Sequence, residues 1–291
     1  MIGYICIFFS VCASLAEGLL IKNYNQKYEK GGFIFTAIVS LFSMLFFLFS
    51  DLITDRTGLM ISTHILPYAL AAGAAYCAAS VCTFFALRYG SYALTMLILS
   101  YSLVFTTAYG LIFLKEQATV FTYVGFVLIA VSLFFVRSEN TEEKQPKKNI
   151  FLWLIFVLIS VACAGAFGVL QRMQQVNFKD AFTREFMVIA LGFATVISFA
   201  IGFFSDGKNC LQIFKKGSLY AGAAGIANGL TNMLNMVVYT MLPISIVAPT
   251  SAGIKIVVSF LLSCFLFKEK FLKRQIFGVV LGGIAVVLLN I

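Results

Sequence analysis

Charge is what this chain has least of. Asp, Glu, Lys and Arg make up only 11 % of its 291 residues, against 61 % hydrophobic ones, where soluble domains carry about 25 % charge. Mean hydropathy is +0.97, and no single soluble core could enclose that much apolar surface, so lipid is read as the solvent. There is one histidine, His64. No HxxE, paired-Asp or His-rich pattern accompanies it, which removes the convergent set an intramembrane enzyme needs. No enzyme, no metal and no cofactor are therefore expected. The seven cysteines are scattered and form no CxxC, which reads as packed thiols and not as a disulfide frame. The net charge of +9 is spread over short loops, not gathered in the patch that nucleic acid requires. The first apolar stretch, 2–21, lacks a basic leader and is long enough to span, so it is read as the first helix.

What is present is a series of apolar runs of spanning length, near 2–21, 33–50, 65–87, 91–114, 119–136, 150–171, 183–204, 217–240, 243–267 and 271–290. They predict an all-α integral membrane protein of ten transmembrane helices. The polar stretch Arg137 to Asn149 holds seven charges and divides five spans from five. We assign a first five-helix repeat to 1–136, a charged linker to 137–149 and a second repeat to 150–291. The halves align. A shift of 152 lays Tyr68 on Tyr220 and Gly73 on Gly225; a shift of 153 lays Lys115–Glu116 on Lys268–Glu269; a shift of 150 lays Ala16–Gly18 on Ala166–Gly168. An odd number of spans per repeat turns the second copy upside down, the inverted-repeat arrangement of many secondary transporters, with the site at midplane. Loops after odd-numbered spans hold 15 bases and those after even-numbered spans 5, which by the positive-inside rule places both termini outside.

A lysine stands where a charge has no cheap reason to be. Lys255 lies eleven residues into the run from Ile244 to Phe267, roughly 16 Å of helix from its start, too deep to snorkel to water. Such a charge marks a pathway or a ligand counter-ion, against the plainer reading of a structural ion pair. Glu17 is the one acid of twelve that lies within a span beyond its first turn. It is read as a coupling group or counter-ion, with pairing to Lys22 as the plain alternative. The eighth span carries Asn228, Thr231, Asn232, Asn235 and Tyr239 on one helical face, and the third carries Tyr76, Ser80 and Thr83. In lipid, matching polar stripes need a neighbour helix or a wet cavity. Thr95, Ser102 and Tyr109 form a similar face on the fourth span, with Ser102 the repeat mate of Lys255. Gln171 and Arg172 close the sixth span and read as loop solvation sooner than as ligands. Gly225–Gly229 and Gly278–Gly282 read as packing pairs, Pro249 as a kink above Lys255 following Pro243, and Trp153 as an interfacial anchor.

The segments GLIFLKEQ…VGFVLIAV and FLFKEK…FGVVLGGIAVVLL, with the five-plus-five plan, resemble the drug/metabolite transporter superfamily and its EamA-like permeases over essentially the whole chain. The segment 251–267 is similar to the ninth helix of the sugar-phosphate and nucleotide-sugar branch, where a lysine meets an anion; here Ile256, not a second base, follows Lys255. LAEGLLIK (15–22) is similar to the first helix of small multidrug resistance transporters, and Glu17 falls on their glutamate. The resemblance implies cytoplasmic termini, opposite to the loop count. The expectation is a secondary transporter in the cell membrane, working by alternating access, for a small metabolite bearing a carboxylate or other anionic group, such as an amino acid. Lys255, Asn228, Asn232, Asn235, Tyr239, Tyr76, Ser80 and Ser102 are its expected solute ligands and Glu17 its coupling or counter-ion. Efflux of lipophilic cations on Glu17, sugar-phosphate exchange on Lys255, and a non-transporting assembly subunit are the alternatives. Lipid and a small solute are the expected partners, with protons a candidate coupling ion, no nucleic acid, and a monomer or homodimer as the unit.

Overall fold

The computed structural model describes residues 2–28, 31–54, 63–113, 119–136, 149–178, 181–206, 210–242, 244–266 and 272–288. No strand occurs among them. In chain order the helices are α1 (Ile2–Lys27), α2 (Gly32–Thr54), α3 (Leu66–Tyr89), α4 (Tyr92–Ser100), α5 (Leu103–Phe113), α6 (Val120–Val136), α7 (Ile150–Phe178), α8 (Thr183–Asp206), α9 (Cys210–Met241), α10 (Ile244–Leu266) and α11 (Lys273–Leu288). They make ten spans, because α4 and α5 are two pieces of the fourth. At that joint Tyr101 N–H donates to Ile98 O at 3.0 Å and Ser102 N–H to Leu99 O at 3.1 Å, the tighter i→i−3 pattern that interrupts an α-helix. The Lys–Glu pairs, most of the linker and Pro243 lie outside the described residues. α10 is helical through Pro249, and the interruption of regular structure falls in the other half, beside Ser102.

Among the described residues, six helical stretches meet the length and hydropathy of a membrane span. The described parts of α6 and α11 are 17 and 16 residues long, and α9 is diluted by its asparagines. Large apolar side chains such as Phe8, Phe9, Phe121, Phe199 and Phe204 face outward, which only a lipid surround makes inexpensive.

The main packing runs between the halves. α1 lies on α9 as α7 lies on α3, α2 packs on α8, and α6 on α11. Two antiparallel ladders make this symmetry concrete. On one, Ser10 Oγ donates to Asn235 Oδ1, Asn228 Nδ2 meets Glu17, and Lys27 Nζ donates to the Tyr220 hydroxyl. On the other, Ser160 Oγ meets Thr83 Oγ1, the Phe167 ring lies 5.4 Å from that of Tyr76, and Asn177 Nδ2 donates to the Tyr68 hydroxyl. Each rung of the second is the first moved by 150 residues on one strand of the ladder and 152 on the other. The glycines follow suit. A Cβ on Gly225 would stand 2.6 Å from Val39 O, and one on Gly73 would meet Ala190 O, so both repeats need bare backbone where their third helix crosses the partner's second.

Trp153 behaves differently from the anchor expected of it. It turns inward and is buried, its Nε1–H donating to Thr95 Oγ1 at 3.0 Å. The reason is room: the indole occupies the space a side chain on residue 90 would fill, and Gly90 has none.

Candidate functional site

The ladders leave space between them, in two chambers that share Ser14, Ser102, Phe167, Asn232, Asn235 and Lys255 as lining. One, of about 260 Å³, extends past Glu17 and Tyr76 toward Ile21 and Phe84. The other, of about 220 Å³, extends past Ser10 toward Gln171, Tyr239 and Ser251. Each is smaller than the roughly 300–1,000 Å³ typical of drug-sized ligand pockets.

Glu17 is held by α9. Asn228 Nδ2 approaches both carboxylate oxygens, at 3.1 and 3.0 Å. The Asn228 Oδ1 in turn accepts from the Tyr76 hydroxyl at 2.9 Å, Ser43 Oγ at 2.8 Å and Asn232 Nδ2 at 3.0 Å. One amide thus ties α1, α2, α3 and α9 together in the middle part of each helix. Lys255, on α10, donates to Ser14 Oγ of α1 at 2.9 Å, about one helical turn from Glu17. The two charges therefore spend their hydrogen bonds on neutral groups, and among the described residues no hydrogen bond joins them. Nor does Glu17 pair with Lys22. That lysine is buried and donates to Leu87 O at 3.1 Å and Gly90 O at 2.6 Å, closing the carbonyl end of α3.

Of the residues the sequence singled out, Glu17, Tyr76, Ser80 and Asn228 line the larger chamber, Tyr239 the smaller one, and Ser102, Asn232, Asn235 and Lys255 both. The face expected on the fourth span does not hold together. Thr95 is fully buried under Trp153 and back-bonds to Ser91 O, while Tyr109 stacks on Phe113. The break at Tyr101–Ser102 resets the helical phase, so Thr106 takes the place on the smaller chamber. Gln171, read as loop solvation, is buried and lines that chamber too. Ser10, Ser14 and Ser43 went unremarked. Yet Ser10, Ser14 and Glu17 repeat at four and three residues, as do Thr36, Ser40 and Ser43, the same signal that exposed the asparagine stripe.

The repeat symmetry fails at the charges. Glu17 is matched by Phe167, its partner Asn228 by Tyr76, and Lys255 by Ser102. Each half contributes one charge to the cavity wall, the acid from the first and the cation from the second, and neither charge is repeated.

Comparison with known proteins agrees with this architecture. The model of the EamA-like transporter family matches residues 1–138 and again 151–291. No curated protein matches. A protein of known crystal structure superposes with a TM-score of 0.56 at 11 % identity, over 97 % of this chain and 98 % of its own; at that identity the likeness is one of fold alone.

Proposed function

We propose that this chain, which belongs to the EamA-like transporter family and is thus a multi-pass membrane transporter of small molecules, binds its solute through a carboxylate or other anionic group at Lys255. The observation that carries this is the lysine itself. Its ammonium stands at mid-span on a cavity wall, with Ser14 Oγ as its hydrogen-bond acceptor among the described residues. Glu17 lies within electrostatic reach of the ammonium without a hydrogen bond to it among the described residues; a part-buried cation held by one hydroxyl is costly, and an anionic ligand would supply the contact that is missing. Asn232, Asn235, Ser102 and Tyr239 offer hydrogen bonds to the rest of the solute. In the cell membrane, where we place the protein, Lys255→Met should abolish transport while the protein still elutes as a single species in detergent. Transport retained in that variant would sink the reading. A second reading, efflux of a lipophilic cation, is favoured by the Glu17 carboxylate facing the same chamber. It predicts that Glu17→Gln loses efflux and that Lys255 is dispensable.

Alternating access is the mechanism we infer, and an asymmetry between matched helices supports it. At the end where α1 and α3 finish, these two helices pack together and Lys22 bonds the carbonyls of Leu87 and Gly90. The repeat mates are Arg172, on α7, and Tyr239, on α9. Among the described residues, Arg172 lies within electrostatic reach of Tyr239, but its buried Nε has no hydrogen-bond partner, and α7 and α9 are nearly out of contact. One end is latched and its counterpart is not, with the smaller chamber running toward the unlatched end. Rocking the halves would exchange the two conditions.

A further inference from the structure

We propose that Arg172 and Gln175 form a second latch, which closes the unlatched end on the carbonyls of Met236, Tyr239 and Leu242 when the first latch releases. This rests on the alternating-access reading and names the contacts of its second state. The first latch has two members on α1. Lys22 Nζ donates to Leu87 O and Gly90 O, and about one turn on, Asn25 Nδ2 donates to Phe84 O at 3.0 Å. The ladder shifts are 150 residues on the donor helix and 152 on the acceptor helix. They carry these bonds onto Arg172 with Tyr239 and Leu242, and onto Gln175 with Met236. Each donor is matched in kind, a cation by a cation and an amide by an amide.

Both sides of this second latch are prepared for it. On α7, the buried Arg172 Nε has no hydrogen-bond partner among the described residues. A buried donor on a cation is costly to leave unmet, and the guanidinium fork presents donors that two carbonyls can share. On α9, one acceptor lacks a helical donor by covalent structure. Tyr239 O would take its helical bond from residue 243, and that residue is a proline with no N–H to give. The two acceptor helices also end alike: Gly90 N–H bonds Ala86 O and Leu242 N–H bonds the mate Val238 O, each at 2.9 Å. Each end is pinned to the opposite half by a bulky side chain over a glycine, with the roles exchanged. Trp153 sits against Gly90, and Leu242 sits against Gly3, the mate of Trp153. The end of α9 is therefore held on α1, and the tip of α7 is the part that travels.

The test is labelling by a water-soluble maleimide of the full-length chain, freed of native thiols and carrying one cysteine at a time. The two probe positions are Ile21, at the latched end, and its mate Gln171, which lines the smaller chamber. Lys22→Met should raise labelling at Ile21 several-fold and lower it at Gln171, because the two ends share one equilibrium. Adding Arg172→Met should restore labelling at Gln171. Arg172→Lys should leave it low, since a lysine is what latches the first end. A second readout keeps Arg172 and Gln175 intact, and so stands even where an Arg172 variant fails to fold. It places cysteines at Gln174 and Met236, the mates of Tyr24 and Phe84, whose rings lie 5.9 Å apart. A short bis-thiosulfonate should join that pair in the Lys22→Met protein and not in its parent. Labelling at Gln171 that falls with Lys22→Met but ignores Arg172→Met overturns the latch and leaves alternating access standing. Equal cross-linking in the two proteins, or labelling unmoved at both probes, also overturns the latch. Ile21 freed with Gln171 labelled as before overturns alternating access as well.

Discussion

Asn228 carries more of the site than any other single side chain. Its Oδ1 accepts from Tyr76, Ser43 and Asn232, and its Nδ2 faces Glu17. Replacing it by alanine leaves Ser43 its bond to Gly225 O and Asn232 its bond to the backbone oxygen of residue 228, but takes the amide away from the Tyr76 hydroxyl and the Glu17 carboxylate, at about 1–3 kcal/mol for a buried group left unsatisfied. Asn228→Ala should therefore lower the thermal midpoint by several degrees, at about 2–4 °C per kcal/mol for a chain of this order, and weaken ligand binding too. A midpoint within a degree of the parent protein would show that the network is dispensable. The asparagine was legible in the sequence because three amides on one face of an apolar helix have no other explanation. Its partner Ser43, and the Ser14 that meets Lys255, were less so. Serine in a membrane helix so often bonds its own backbone, as Ser40 does to Thr36 O, that composition alone does not separate a ligand from a self-satisfied hydroxyl.

Helices as units were easy to read, and their interruptions were not. The apolar runs foretold the elements because lipid demands continuous internal hydrogen bonding. The break at Tyr101–Ser102 carries neither proline nor glycine, and extending one helical phase across it misplaced Thr95 and Tyr109. The latch at α3 was equally hidden, since Lys22 near a span end looks like any interfacial base. Its two carbonyl partners lie more than sixty residues on. Lys22→Met removes both bonds and should loosen the latched end. A cysteine placed at Ile21, which lines the larger chamber, in a background freed of native thiols, should then react several-fold faster with a water-soluble maleimide. Unchanged labelling would mean that apolar packing of α1 on α3, and not the lysine, closes that end. Glycine positions test packing at the same scale. A methyl on Gly225 would lie 2.6 Å from the backbone oxygen of Val39, which cannot yield, so Gly225→Ala should cost about 1–3 kcal/mol as overpacking, read as a lowered thermal midpoint. An unchanged midpoint would show that α9 shifts freely on α2.

The repeat, as a property of the whole chain, was visible in shifts of 150 to 153 residues, but its physical meaning emerges only from what the shifts bring together. Ser10 with Asn235 and Ser160 with Thr83, or Lys27 with Tyr220 and Asn177 with Tyr68, are cross-half contacts. The tightest helix pairs, α1 on α9, α3 on α7 and α2 on α8, likewise join opposite halves. Each half on its own would expose to lipid the polar faces that the other covers, Ser43 and Glu17 without Asn228, Tyr76 without its amide acceptor. In a membrane those groups have no water to fall back on. A half is thus one side of an interface and not a free-standing unit. Severing the chain between residues 137 and 148 and producing both parts together should give a complex that copurifies and binds ligand. Either part produced alone should aggregate or be degraded. A stable, monodisperse first half would contradict this, and would require its polar face to find partners within the half or in a second copy of itself.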